Sequence, residues 1–265
     1  NMVAVHPGTY TWSATAEEVS ALVESRPDLR VLGSAPRRVL LDQAVPLVRA
    51  DVVRKDYQLT GKGVVIGIVD TGIDVRHPDL RTAAGKSRVA WLLDMSHQPV
   101  GKHPELESAQ GCTNESTPCA VYSAADLDEV IGNDISGDEP RDDYGHGTHV
   151  ASLAAGNGLA SSPPTYVGIA PDATIVAVRA TRDGSGIMDD ADILDAVKFI
   201  FDVADSQLNA PAVVNLSLGG DFGAHDGTSA LERNLSKFVG SDKPGRSIVV
   251  AAGNSGMLYQ SAALH

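Results

Sequence analysis

The sequence predicts an α/β fold, a parallel sheet with helices on both faces, joined to a small α+β piece at its N-terminal end. Three observations carry this expectation. Short, continuous apolar runs recur at residues 64–69 (VVIGIV), 174–180 (TIVAVRA), 213–218 (VVNLSL) and 247–252 (SIVVAA), as strands buried on both faces require. Between them, residues 146–155, 189–206 and 228–239 read as helices. Strand and helix therefore alternate, the pattern of a parallel sheet with helices packed on it.

Residues 1–50 have a different rhythm. A helix is expected to start at Ser13 or Thr15, with Val19, Leu22 and Val23 on its apolar side. Short strands are expected at 30–32 and 38–41. The main domain, 51–265, opens with the strand that ends at Asp70. Residues 95–143 break the alternation with glycines, prolines and an acidic run from Asp126 to Asp143, and read as a surface insertion. In the helix at 189–206, Ile193, Val197, Ile200 and Phe201 form one stripe, and Leu231, Leu235 and Phe238 do the same at 228–239.

Composition narrows the function classes. Hydrophobic residues make up 43% and charged residues 21%, a balance that supports a packed core and argues against disorder. A formal net charge of −13 repels a phosphate backbone, so nucleic acid is not an expected partner. No apolar run approaches the ~18 residues of a membrane span, so no membrane partner is expected. No positive segment leading into an apolar core opens the chain, and any secretion signal is expected to be removed or never present. Cys112 and Cys119 bracket a polar stretch, GCTNESTPC. Its closure as a disulfide would indicate an oxidising compartment, with two reduced loop thiols as the alternative.

In an open parallel sheet, ligands gather beyond the carboxyl ends of the strands. Asp70 and Asn254 both fall just past such ends, and His146 opens a predicted helix between Gly145 and Gly147. A carboxylate, an imidazole and an amide in this order suit acyl transfer. The aspartate would hold the imidazole's tautomer, the histidine would take a proton from a hydroxyl, and the amide would donate to an oxyanion.

The motifs DTGID with HPDL, HGTHVAS, NLSLGG and AAGNSG, spread over residues 61–256, closely resemble those of the subtilisin-like serine peptidases, the subtilases. The resemblance implies a serine endopeptidase with Asp70 and His146 as triad members and Asn254 as oxyanion donor. It implies that Ser217, Leu218 and Gly219, with Ala251, Ala252 and Gly253, flank the pocket for the residue before the scissile bond. Gly184, Ser185, Gly186 and Ile187 match the edge that pairs with extended substrate. No cofactor is required by such a reaction. Asp79 matches a calcium-ligand position, although the partner loop around 157–166 departs from the family pattern, so calcium is only an option as a structural ion. The leading segment resembles the tail of a propeptide, with a permanent N-terminal extension as the alternative. The resemblance also implies a secreted protein, extracellular or periplasmic.

The family's serine is expected ~157 residues beyond the histidine, which lies outside this chain. The fold is therefore expected to be incomplete on its C-terminal side, and its partners to be a serine-bearing remainder and a peptide or protein substrate. Gly227-Thr228-Ser229 imitates the nucleophile motif, yet it precedes Asn254 and is followed by Leu231-Glu232-Arg233. A helix cap is the better reading: Thr228 or Ser229 can satisfy free amides of the helix that follows, with Glu232 placed for a capping box. His149, near His146, is assigned to helix packing rather than metal, because no HExxH accompanies it. The acidic run is read as solvated surface, or as a preference for basic substrates through Asp138, Glu139, Asp142 and Asp143. The competing function is a non-catalytic binding or regulatory module on the same scaffold. An α/β hydrolase finds no G-x-S-x-G elbow here.

Overall fold

The computed structural model describes residues 2–6, 9–12, 15–26, 45–112, 117–133, 139–183, 185–220 and 225–254. The chain divides into two compact units, residues 1–39 and 40–265. In the first, β1 (Met2–His6) and β2 (Thr9–Trp12) pair antiparallel, and α1 (Ala16–Ser25) follows. Thr15 caps α1 through a reciprocal box with Glu18, satisfying amides that the first helical turn leaves free. The strands expected at 30–32 and 38–41 lie outside the described residues.

The second unit begins with α2 (Ala50–Tyr57), β3 (Val65–Asp70), β4 (Val89–Asp94), α3 (Pro104–Ala109), β5 (Ala120–Ser123) and α4 (Ala124–Gly132). It continues with α5 (His146–Ala155), β6 (Thr174–Arg179), α6 (Asp190–Val203), β7 (Ala212–Leu216), α7 (Ala230–Ser236) and β8 (Arg246–Val250). The six strands order as β5-β4-β6-β3-β7-β8. All pairs are parallel except β4 with β5, so the parallel strands deliver their carboxyl ends to one edge.

Alternation along the strands assigns each face. Val65, Val69, Val176, Val178, Val214 and Leu216 pack with Phe199, Ile200, Phe201 and Val203 of α6. Ile68, Leu92, Ile175 and Ala177 pack on the other face with Ala151 and Ala155 of α5 and Leu127 of α4. Helices thus cover both faces, as the apolar runs predict. The α5 face has one gap. In register across β7 and β8, Asn215 is half-buried and Val249 is 53% exposed, so this part of the face lacks a helix among the described residues.

Two elements differ from the sequence reading. The run VAWLLD forms β4, a central strand, which its turn-rich flanks obscure. Residues 95–143 are only partly surface: β5 adds an edge strand, Leu127 is fully buried, and buried Glu107 accepts the amides of Val100, Gly101 and Val121. A buried carboxylate surrounded by amides orders a segment that apolar pattern alone does not reveal. Cys112 and Cys119 are joined, with an S–S distance of 2.01 Å.

Close packing of α6 on β3 depends on Gly67, where a Cβ would stand 2.6 Å from Cγ2 of Ile200. Gly67→Ala is expected to lower unfolding stability by ~1–3 kcal/mol through overpacking. Urea denaturation checks this, and an unchanged midpoint would show that α6 can shift freely.

Candidate active site

β3 ends in Asp70, whose alternation points it to the face covered by α5, and α5 begins at His146. The two side chains meet there: Nδ1 of His146 lies 2.7 Å from Oδ1 of Asp70. The carboxylate is 1% exposed and the imidazole 43%. An ionised carboxylate only accepts, so the proton between them belongs to Nδ1. That leaves Nε2 as the basic nitrogen. Oδ1 also accepts the Thr71 amide at 2.8 Å, whereas buried Oδ2 meets no donor among the described residues. The negative charge is therefore little spent on other hydrogen bonds and bears on the imidazole.

A second tier of residues fixes this pair. The Thr71 hydroxyl donates to Asp142 and accepts the Gly147 amide. Asp142 also receives the Gly145 amide and both the amide and hydroxyl of Thr148. One carboxylate thus ties the turn after Asp70 to the first turn of α5, where an anion also suits the helix dipole. The loop carrying Asp142 is anchored in turn by Arg179 at the end of β6, which donates to the Arg141 carbonyl and to Asp143.

The other expected residues gather at the same edge of the sheet. Ser217, Leu218 and Gly219 follow β7, and exposed Ala251, Ala252, Gly253 and Asn254 follow β8. The Ala251 amide donates to the Leu216 carbonyl, keeping the two segments adjacent. Gly253 has φ +87°, a conformation suited to glycine that turns the chain at Asn254. Asn254 leaves β8, two strands from β3, a lateral offset of ~10 Å. Beyond β6, Gly186 lies beneath the Tyr144 ring and Ile187 is 72% exposed, while Gly184 lies outside the described residues.

The Subtilase family pattern matches residues 61–264. The chain belongs to the subtilase family. It is 32% identical over 231 residues to the serine protease AprX of Bacillus subtilis (strain 168), covering 85% of this chain and 41% of AprX. It is 28% identical over 218 residues to the minor extracellular protease Vpr of the same organism, covering 82% of this chain and 20% of Vpr. Its fold is similar to the structure of the Clostridium perfringens CspB protease, with a TM-score of 0.64 and 30% identity, covering 78% of this chain and 40% of that one. This subtilase chain thus spans less than half the length of each of these relatives.

Several expected residues have other duties in this subtilase. Ser229 caps α7, accepting the Glu232 amide while its own amide donates to the Glu232 carboxylate. Asp143 is paired with Arg141 and Arg179, Glu139 with Arg76, and Asp142 with the α5 entry, whereas Asp138 lies outside the described residues. These described acidic groups make internal contacts, with Asp143 still 41% exposed. His149 is exposed rather than packed, because it falls on the outer side of α5. The carboxylate of Asp79, the expected calcium ligand, is engaged in internal hydrogen bonds. Its oxygens already accept the Ala160 amide and Ser152 hydroxyl, and the Arg88 guanidinium stands on its carbonyl.

Thr71, Tyr144 and Arg179 escape the sequence reading, which has Asp142 only as a member of the acidic run. The one available signal is the acidic pair immediately before the GHGT turn, and it was open to a solvated reading. Burial raises the Asp142 pKa, but hydrogen bonds from Thr148, Thr71 and Gly145 outweigh it and hold the carboxyl below its ordinary value. A depressed carboxyl contributes stability above its unfolded pKa, and loses it as pH falls through the folded value. Asp142→Asn is expected to cost ~1.5–3 kcal/mol at neutral pH, with the gap to the parent narrowing below about pH 4. Urea midpoints across acidic pH check this, and a gap of constant size would remove the ionised carboxylate from the account.

Proposed function

We propose that this subtilase supplies the base, its orienting carboxylate and an oxyanion donor to a serine endopeptidase. The nucleophilic serine would lie on a segment outside residues 1–265. One observation carries the reading: a buried carboxylate 2.7 Å from the Nδ1 of a half-exposed imidazole, at the carboxyl edge of a parallel sheet.

In this reading Nε2 of His146 takes the hydroxyl proton as the serine oxygen attacks the peptide carbonyl. Asp70 stabilises the imidazolium that forms, without itself being protonated. The side-chain NH2 of Asn254 donates to the oxygen as it becomes negative. Collapse of the tetrahedral intermediate then needs His146 to return the proton to the leaving amine, and water repeats the sequence on the acyl-enzyme. Residues 184–187 would pair with the extended substrate, and 217–219 with 251–253 would flank the side chain before the cleaved bond. No step uses a metal or organic cofactor.

The uncovered part of the α5 face supports a serine-bearing segment as partner. A helix laid over Asn215 and Val249 would bury the exposed valine and stand beside α5, on the side where His146 emerges. The disulfide and the relative named an extracellular protease support secretion. No helix of the described residues is long and apolar enough to cross a membrane.

A serine-directed phosphonate is the direct test. This chain alone is expected to resist labelling, and the protein complemented with a Gly-Thr-Ser segment to react there. Stoichiometric labelling of Ser229, or peptide binding without turnover in the complemented protein, would overturn the reading. In active protein, Asp70→Asn is expected to lower kcat by about 10⁴, and Asn254→Ala by ~10²–10³, the loss seen for the oxyanion asparagine of subtilisin.

A further inference from the structure

At the far end of α5, away from His146, three segments converge on Arg88, which lies just before β4. Its Nη1 donates to the carbonyl of Asp79 at 2.9 Å and to that of Ala155, the last residue of α5, at 2.6 Å. Its Nη2 donates to the carbonyls of Pro171 and Ala173, ahead of β6. Beside it, the Asp79 carboxylate holds the Ser152 hydroxyl of α5 and the Ala160 amide of the following loop, at 2.7 and 2.8 Å. The Asp79 carbonyl also accepts the Asn157 amide at 3.2 Å, and Asn157 donates through Nδ2 to the Arg81 carbonyl.

Backbone carbonyls and carboxylates are the ligand class a calcium ion takes, six to eight oxygens at a time, and here four carbonyls converge on one side chain. Here the oxygens face N–H and O–H donors instead. A guanidinium presents five donors in a fixed fork, enough to serve carbonyls from three segments at once. Its charge also lies at the negative end of the α5 dipole. We propose that Arg88 is the resident cation of this junction, so that Asp79 and the 157–170 loop are organised without bound calcium. A divalent ion at Asp79 would compete with the Ser152 and Ala160 donors for the carboxylate and be repelled by a positive charge bonded to the same residue's carbonyl.

Thermal unfolding of the whole protein tests this, with calcium chloride as the probe. The expected result is the same Tm in excess EDTA and in millimolar calcium, because an ion that binds only the folded state would raise it. Arg88→Gln is expected to lower Tm by ~3–10 °C, with Arg88→Lys in between, since an ammonium cannot span all the carbonyls. An Arg88→Gln protein as stable as the parent would overturn the proposal. A calcium-dependent rise that Asp79→Asn abolishes would overturn it as well. A rise that Asp79→Asn leaves intact places the ion elsewhere and supports it. Should Arg88→Gln fail to fold, the parent protein's response to calcium decides the question by itself.

Discussion

Two glycines stand between the strand that carries Asp70 and the helix that carries His146, and the site depends on their lack of side chains. A Cβ at Gly147 would fall 2.1 Å from the Gly72 carbonyl oxygen and 3.0 Å from the Asp70 Cβ. At Gly72, which has φ +126°, it would fall 2.4 Å from the Arg141 carbonyl oxygen. Backbone must therefore touch backbone for the helix to start where it does. Any residue larger than glycine would push α5 outward by more than the tolerance of a hydrogen bond. The Asp142 bonds, the Thr71 hydroxyl and the Arg179 anchor all operate inside the geometry that this contact permits.

The two faces of the sheet solve different packing problems. Against α6 the sheet uses large side chains, with Phe199, Ile200 and Phe201 filling the space over valines. Against α5 the helix offers Gly147, Ala151 and Ala155, all buried, and lies close because nothing bulky intervenes. A helix of small residues adds little apolar area, so its hold comes from hydrogen bonds at both ends: Asp142 at the entry, Arg88 and Asp79 at the exit. This division explains why the Asp70–His146 pair occupies the less oily face. Precision there is set by directional bonds.

The apolar runs revealed the parallel strands because burial on both sheet faces leaves little room for polar residues. The helices at 146–155 and 189–206 were legible from spacing and flanking glycines or acids. β4 was not, because the turn-rich stretches on either side of it read as one long loop. β5 was hidden because it is a four-residue strand inside that same stretch, and Glu107 looked like one more surface acid until the amides around it were known. Asp70 and His146 were legible because strand ends and helix starts are positions with few alternatives. Asp142 sits in an acidic run and Arg179 at the end of an apolar one, and only the folded chain distinguishes a carboxylate that binds four groups from one that meets water. Arg88 was invisible for a further reason: its partners are backbone carbonyls, which leave no mark in a sequence.

Among the described strands of the six-stranded sheet, β5 is the one that runs against the rest, and this has a consequence for how the excursion between β4 and His146 could change. A reversed strand returns the chain to the amino edge, from which α4 climbs back, its last carbonyls received by Arg76 near the opposite edge. Descent and ascent cancel. Removing or adding strand and helix as a matched pair preserves the side from which the chain enters α5. Losing either one alone would leave a connecting segment to recross the sheet before the GHGT turn.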